Sequence, residues 1–222
     1  MRIVAISDQH GHLPDIPECD LLIVAGDQCH DNFRGGTARS SPELQYQWFQ
    51  NKWLPWRRAQ PATRCAITWG NHDFCGHEHQ NVELDGLTHI VCDKLITKAG
   101  LRIYMTPWSN QFMDWAFMKE PAALQPYYDA IPECDILVSH QPPMGYGSQC
   151  RYLDPRDGQM KTEQVGSFEL RDAILEKRPG RVVCGHVHSG YGQYDCDGIP
   201  VYNVSVVNEA YDLVNPVTVI DL

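Results

Sequence analysis

The sequence predicts an α/β protein, and two observations lead to that prediction. Short runs of β-type apolar residues recur along the chain, and five of them end directly at a cluster of polar residues. Two longer segments carry the capping residues and the apolar spacing of helices. Because α/β sheets place their sites at the carboxyl ends of strands, we expect the five clusters to gather along one edge of a sheet.

The predicted strands are short and rich in Val, Ile and Leu. Between two of them, Lys98-Ala99-Gly100-Leu101 is typical of a tight hairpin turn. Nine strands are predicted: Arg2–Ser7, Asp20–Ala25, Arg64–Trp69, Leu95–Lys98, Leu101–Thr106, Asp135–Ser139, Arg181–Cys184, Pro200–Val206 and Val217–Asp221.

Two helices are predicted from their start and stop signals. Ser41 as N-cap and Pro42 in the first turn open a helix that continues to about Ala59, and Pro55 should kink it or end it early. The second helix covers Ser167 to Lys177 and stops at Pro179-Gly180. Polar, glycine- or proline-rich loops connect these elements at Gln28–Ser40, Phe74–Gly86, Trp108–Asp114 and Gln141–Gly166.

Composition limits the class of protein. A chain of 222 residues suits a single domain spanning 1–222, and it holds no apolar run of the ~18 residues that a membrane span needs. The nine cysteines are odd in number and form no Cys-x-x-Cys, so we expect reduced, buried thiols. The N-terminus runs straight into a strand without a signal peptide. A cytoplasmic protein is the resulting expectation.

The net charge is −10 with histidines neutral. Long nucleic acids are usually bound by Lys/Arg patches, so a nucleic-acid partner is disfavoured. The charge does not exclude small phosphorylated substrates, because bound divalent cations would dominate the local field.

The polar clusters that follow the strands are rich in metal-ligand residue types. They are Asp8-Gln9-His10, Gly26-Asp27, Gly70-Asn71-His72-Asp73, Ser139-His140 and Gly185-His186-Val187-His188. Carboxylate oxygen combined with imidazole nitrogen suits Mn, Fe or Zn better than Ca. A single such histidine is usually a core or surface residue, but five clusters at five strand ends indicate a functional metal site.

These residues are numerous enough for two cations. Asp27 can place one oxygen on each cation, and the neutral oxygen of Asn71 suits a second metal that needs no further charge. Asp8 and His10 then belong to the first metal and His140 to the second, while the spacing alone leaves open which of His186 and His188 joins which. Two metals ~4 Å apart, bridged by hydroxide, can activate a nucleophile and clamp a phosphate.

The order of these motifs resembles the calcineurin-like metallophosphoesterase superfamily. Gly100-Leu101-Arg102-Ile103-Tyr104, Pro107-Trp108 and Gly185-His186-Val187-His188-Ser189-Gly190 are similar to its metallophosphoesterase-domain-containing (brain protein 239-like) branch. The resemblance, which covers residues 8 to 188, implies a four-layer α/β/β/α sandwich. That branch and the related class III cyclic nucleotide phosphodiesterases hydrolyse phosphodiesters, including 2′,3′-cyclic nucleotides.

The resemblance also assigns roles to residues. It places His188 with Asp8, His10 and Asp27 on metal one, and His186 with Asp27, Asn71 and His140 on metal two. His72 is implied as the catalytic residue that is not a ligand. Asp73 either holds the His72 ring in position or is a loop or helix-capping carboxylate. The expected cofactors are two divalent ions, with manganese favoured over iron and zinc.

The expected activity is that of a phosphodiesterase acting on a small-molecule substrate, with 2′,3′-cyclic nucleotides favoured. The alternatives are a phosphomonoesterase of broad specificity and a non-catalytic scaffold of the same fold. A phosphoprotein substrate is disfavoured, because residues 26–32 lack the Gly-Asp-x-x-Asp-Arg-Gly of the protein phosphatases. The oligomeric state is left open between a monomer and a homodimer.

Two further groups of residues have two interpretations each. Gly76-His77-Glu78-His79 repeats the Gly-His-x-His pattern but has no strand before it, so a surface loop is expected instead of an accessory metal or substrate contact. Trp108, Phe112 and Trp115 can floor a base-binding pocket or form a small satellite core, and the satellite core is favoured.

Overall fold

The structure, a computed structural model, describes residues 1–30 and 41–222. From residue 31 onward the predicted loop Gln28–Ser40 lies outside the described residues, as do Asp31 and Asn32 of the second motif. Within the described ranges, no helix is both long and apolar enough to cross a membrane.

More of the described chain is strand than helix, and the helices are short. The strands are β1 Arg2–Ile6, β2 Cys19–Ala25, β3 Ala62–Thr68, β4 Thr88–Ile90, β5 Lys94–Lys98, β6 Leu101–Thr106, β7 Ser109–Asn110, β8 Met118–Lys119, β9 Ile136–Ser139, β10 Gln149–Leu153, β11 Met160–Gln164, β12 Val182–Cys184, β13 Gly192–Cys196, β14 Ile199–Asn203 and β15 Thr218–Asp221. The α-helices are α1 Pro42–Trp48, α2 Leu54–Ala59, α3 Pro121–Asp129 and α4 Phe168–Lys177.

Two sheets form the centre of the molecule. The first has the order β15-β1-β2-β3-β4, in which only β15 is antiparallel to its neighbour. The second has the order β13-β14-β12-β9-β6-β5, with parallel pairing from β14 to β6 and an antiparallel strand at each edge. Within each sheet, the parallel strands therefore end at the same edge. The polar clusters follow these carboxyl ends.

Side-chain alternation along the strands divides the core into three layers. Ile3 and Ile23 of the first sheet pack with Ile136 and other residues of the second, so the two sheets face each other. The alternate residues of β1 to β3 pack against Phe49 and Trp53 of the first helical segment. The outer face of the second sheet packs against α3 and α4. This arrangement is the four-layer α/β/β/α sandwich, and it confirms the fold-class prediction.

The first predicted helix is capped as expected, but Pro55 does not end it. Ser41 Oγ accepts the N–H of Leu44, and the helical backbone continues to Ala59. A π-helical turn, Phe49–Trp53, precedes Leu54 and Pro55. The wider turn before it allows a residue without an N–H to be accommodated within a continuous helical segment.

The structure also contains elements that the sequence interpretation did not predict. Helix α3 was missed because Pro121 opens it and Pro126 lies inside it, and proline is read as a breaker. The hairpin β10–β11 lies inside the predicted loop Gln141–Gly166 and was missed because its residues are largely polar and exposed. Gly76 and His77 lie in a 3₁₀ turn, Phe74–His77, and Glu78 and His79 follow it. His77 stacks on Phe117 and His79 on Tyr46.

Candidate metal centre

The five polar clusters converge where the two sheets meet. The chain leaves β14 of the second sheet and immediately pairs with the end of β1 in the first. Ser7 N donates to the Val204 carbonyl at 3.0 Å, and Val206 N donates to the Ser7 carbonyl at 3.0 Å. This crossing joins the carboxyl ends of β1, β2 and β3 to those of β9 and β12, which carry the other clusters.

Four of the predicted ligand residues have left-handed backbone conformations. The φ angles are 55° at Asp8, 42° at His10, 54° at Asp27 and 66° at His186. Such conformations cost a residue with a Cβ about 1–2 kcal/mol and persist only where the surroundings impose them. Each turns a side chain away from its strand direction and toward the space between the sheets.

Two glycines in the motifs are required by close approach. A Cβ on Gly70 would lie 2.3 Å from Asp27 Oδ1, and one on Gly185 would lie 2.4 Å from Asp8 Oδ2. Any larger residue at either position would displace the carboxylate. The glycines before Asn71 and His186 are therefore part of the geometry of the site.

The titratable side chains form three overlapping groups whose ligand-type atoms lie within 4.8 Å of one another. His10 belongs to two of the groups, and so does Asp27. The groups are Asp8-His10-His188, His10-Asp27-His72 and Asp27-His140-His186. The overlap makes one continuous cluster with Asp27 near its middle.

The two oxygens of Asp27 have different tasks. Oδ1 accepts the backbone N–H of His72 at 2.7 Å, which fixes the orientation of the carboxylate. Oδ2 faces both sides of the cluster, at 3.9 Å from His10 Nε2 and 3.3 Å from His140 Nε2. One oxygen thus points to the space between two imidazoles that come from different sheets.

Two histidines are oriented by backbone carbonyls. His140 Nδ1 lies 2.8 Å from the Ala25 carbonyl, and His188 Nδ1 lies 3.0 Å from the Asn208 carbonyl. A carbonyl oxygen only accepts, so Nδ1 carries the proton in both rings and Nε2 points into the cluster. This arrangement is typical of metal-binding histidines, whose second nitrogen is held by an outer partner.

The surroundings of His140 Nε2 test whether a cation fits. Its nearest partners are Asn71 Oδ1 at 2.8 Å and Asp27 Oδ2 at 3.3 Å, both of which are acceptors. A neutral His140 would present a lone pair to two further lone pairs, so either a proton or a cation must lie between them. Imidazole, carboxylate and amide donors together suit Mn, Fe or Zn.

The pKa shifts follow from this arrangement. Burial by itself would lower the pKa of His140, but the carboxylates of Asp27 and Asp8 raise it to about 9. Burial would raise the pKa of Asp27, yet His140, His72 and His10 hold it well below its usual range. Burial and the neighbouring His140 lower the pKa of His186, which keeps its ring neutral and available as a ligand.

All of the residues predicted as ligands lie in this one place. Asp8, Asp27, Asn71 and His140 are almost completely buried, while His186 and His188 are half-buried. His72 lies beside them, with its ring centroid 4.8 Å from that of His10 and 4.4 Å from that of Trp115. The structure thus brings the seven predicted ligands and His72 into a single cluster.

Asp73 accepts backbone N–H groups from two loops, the contacts of a loop carboxylate, which is one of its two predicted roles. Oδ2 accepts the N–H groups of Asp27 and Gly70 at 2.8 Å each, and Oδ1 accepts that of Cys29 at 2.9 Å. The carboxylate therefore ties the loop after β2 to the loop after β3. Burial and the Asp27 carboxylate raise the pKa of Asp73 to about 7. We assign Asp73 as a positioning residue for both loops.

Sequence interpretation missed several residues that hold the site together. Gln45 of α1 donates from Nε2 to the His72 carbonyl at 2.7 Å and accepts the Cys75 N–H at 3.2 Å. Asn203 Nδ2 donates to the Gly147 and Val187 carbonyls at 2.9 Å each. In the sequence, the only signals were a glutamine within a predicted helix and an asparagine within a predicted strand. Neither signal indicates which backbone groups the side chain will contact.

Trp108, Phe112 and Trp115, predicted to form either a satellite core or the floor of a pocket, do not all lie in one place. Trp108 packs against Phe117 and Tyr127, as a satellite core requires. Phe112 and Trp115 instead contact each other beside the cluster, where Trp115 lies against His72 and Phe112 lies 5.9 Å from His186. The satellite-core prediction thus holds for Trp108 and is wrong for the other two.

The comparisons with known proteins agree with this geometry. The calcineurin-like phosphoesterase family model matches residues 1–190. Metallophosphoesterase domain-containing protein 1 of Homo sapiens is 31% identical, over 100% of this chain and 71% of that protein, and the Mus musculus protein matches equally well. A solved structure at 12% identity shares the fold with a TM-score of 0.55, covering 91% of this chain and 89% of the other.

Proposed function

The chain belongs to the calcineurin-like phosphoesterase family of metal-dependent hydrolases, and on that premise we propose that it is a phosphodiesterase of small phosphodiesters. Among these, 2′,3′-cyclic nucleotides are the favoured substrates, since the motifs resemble the branch that hydrolyses them. The observation that carries the proposal is Asp27 Oδ2, which faces His10 on one side and His140 on the other.

We infer two cation positions that share Asp27. Asp8, His10, Asp27 and His188 would hold the first, and Asp27, Asn71, His140 and His186 the second, with manganese favoured at both. When bound, two such cations supply Lewis-acid polarisation of the phosphate and an activated water nucleophile. The chain contributes the spacing, because β1, β2 and β12 hold the Asp8, Asp27 and His186 backbones in their left-handed conformations.

His72 is the proposed proton donor. Its backbone N–H holds Asp27, its carbonyl is held by Gln45, and its ring lies within the same cluster. A positioned imidazolium can stabilise the charge that develops on phosphorus-bound oxygens and protonate the leaving alkoxide. The compartment we propose is the cytoplasm, which suits nine free cysteines of which eight are buried.

A substrate panel tests the proposal. Manganese-loaded protein is assayed with 2′,3′-cyclic AMP, 3′,5′-cyclic AMP, bis(4-nitrophenyl) phosphate and 4-nitrophenyl phosphate. We expect diesters to exceed the monoester in kcat/KM, with the 2′,3′-cyclic nucleotide turned over fastest, and activity lost in chelator. Asn71→Ala serves as the control for contaminating phosphatase. A higher kcat/KM for the monoester would identify a phosphomonoesterase instead, and a folded, metal-free and inactive protein would identify a scaffold.

A further inference from the structure

A cavity of about 470 Å³ opens directly beside His186 and His188. Its other walls come from the loop of Phe112, from the hairpin β10–β11 and from Glu209, which follows β14. Ligand pockets typically enclose ~300–1,000 Å³, so the space is of the order needed for an aryl group or a nucleobase. Its position next to two proposed ligands puts any occupant within reach of a phosphate bound at the cluster.

Apolar side chains form much of the cavity wall. Phe112 is 56% exposed, which is unusual for a phenylalanine beside a polar site, and Val165 and Val187 line the same space. The Phe112 ring lies 5.1 Å from that of Trp115 and 5.9 Å from that of His186, so its position is set by two neighbouring rings. A planar group entering the cavity would cover this ring and gain stacking energy.

Two of the polar residues in the wall are acidic. Glu163 and Glu209 line the cavity, and among the lining residues that the structure describes none is lysine or arginine. Both carboxylates act on Cys150, whose thiol pKa is raised by burial and then by Glu209 and Glu163. Both acidic groups therefore lie near Cys150 and line the same cavity, where an anionic group would be repelled.

Ser189, the residue after His188, fixes the position of the cavity walls relative to the predicted ligand residues. Ser189 Oγ donates to the Gln149 carbonyl at 2.9 Å and accepts the Arg151 N–H at 2.9 Å, which attaches the hairpin. Its backbone N–H donates to Glu209 Oε1 at 2.8 Å. These contacts fix one acidic wall relative to His188.

We propose that this cavity receives the ester group of the substrate, with Phe112 as its platform and with Glu163 and Glu209 selecting the charge of that group. The site takes a planar ring of that group, an aryl ring or a nucleobase, that is neutral or cationic and rejects one that carries a negative charge. This inference rests on the proposed function, because it places the phosphate at the metal cluster.

Binding of three non-hydrolysable probes tests the inference. Phenylphosphonate, 3-(aminomethyl)phenylphosphonate and 3-carboxyphenylphosphonate share one phosphonate and one ring and differ in charge. With manganese-loaded protein in a calorimeter, we expect the carboxylate probe to bind about tenfold more weakly than the aminomethyl probe, a difference of about 1.4 kcal/mol. Equal affinity for all three would overturn the proposal.

Variants assign the effect to residues. The double variant Glu163→Gln/Glu209→Gln should bring the cationic and anionic probes to similar affinity. The matched control Glu43→Gln/Glu176→Gln removes the same charge from exposed helical positions outside the cavity and should keep the tenfold gap. Phe112→Ala should weaken all three probes by about threefold to tenfold. A gap that survives in the cavity variant would refute the role of the two carboxylates.

The proposed function can fail independently of this inference. If the probes bind in the expected order but no phosphodiester is hydrolysed, the cavity assignment stands and the catalytic proposal falls. If diesters are hydrolysed and the probes bind alike, the catalytic proposal stands and the cavity assignment falls.

Discussion

Single atoms in the cluster determine what the residues can do. His140 donates through Nδ1 to a carbonyl and meets only acceptors at Nε2, so its surroundings require a positive charge at that point. Asp27 has one oxygen fixed by the His72 N–H and the other directed between two imidazoles. Both side chains therefore have the surroundings expected of cation ligands.

His72 gives the sharpest prediction at this scale. Its ring lies close enough to His10 and Asp27 to be a ligand, so its role has to be measured. We expect His72→Ala to keep two equivalents of metal while kcat falls by roughly 10²–10⁴-fold, because only a proton donor is removed. Metal content by elemental analysis, together with kcat for a diester substrate, checks both parts.

Asn71→Ala is the contrasting variant. It should lose the second metal and all turnover but stay folded, since the hydrophobic clusters do not include Asn71. Loss of metal from His72→Ala would instead make His72 a ligand and leave the proton donor unassigned.

Loops that belong to different elements are tied together by a few buried polar side chains. Asp73 joins the loops after β2 and β3 through backbone N–H groups, and Gln45 attaches α1 to the His72 loop. Asn203, at the end of β14, holds the carbonyls of Gly147, Gly185 and Val187. The predicted ligand residues lie on the loops that follow the strands. These contacts hold those loops in a fixed position relative to the strands.

Asn203→Ala tests this coupling. The variant removes the Asn203 donor from the Gly147 carbonyl and one of two donors from the Gly185 and Val187 carbonyls. We expect a loss of about 1–3 kcal/mol in the free energy of unfolding together with weaker metal binding. Urea unfolding of the metal-free protein and a manganese titration measure the two effects separately.

Asn81→Ala is the matched control for Asn203. Asn81 also bridges a loop to backbone, through both polar atoms to Cys92, but it lies away from the cluster. It should lose stability without losing metal affinity. Unchanged manganese affinity in Asn203→Ala would show that the His186–His188 turn is held by other contacts.

At the scale of the whole molecule, the sandwich encloses its thiols. Eight of the nine cysteines are buried, and Cys150 on the exposed hairpin is intermediate. Burial raises the pKa of Cys65 and of Cys92 to about 12, so few thiolates form near neutral pH.

A thiol-reagent titration is therefore expected to be biphasic. In the native protein a single thiol, Cys150, should react with an aromatic disulfide reagent, and the other eight should react only when the protein unfolds. Cys150→Ser should abolish the early phase. Rapid reaction of several thiols in the native state would show that the layers open far more readily than their packing indicates.

The elements of the fold could be predicted to different extents. All nine predicted strands are present, with ends shifted by up to three residues. They could be predicted because a buried apolar run bounded by polar residues is a local pattern in the sequence. Helix α3, the hairpin β10–β11 and the strands β4, β7, β8 and β13 were missed. In α3, packing of Leu124 and Tyr128 outweighs the helix-breaking tendency of Pro126, and no local pattern reports packing.

The sequence by itself determined the α/β class, the family and the residue types at the five strand ends, since these follow from short-range pattern and motif order. Only the tertiary structure decided that Asp27 Oδ2 faces two imidazoles, that Asp73 holds loops, and that an acidic, aromatic cavity adjoins His186. The reason is physical: each of these facts depends on partners tens of residues apart in the chain, and only folding brings such residues within hydrogen-bonding or contact distance.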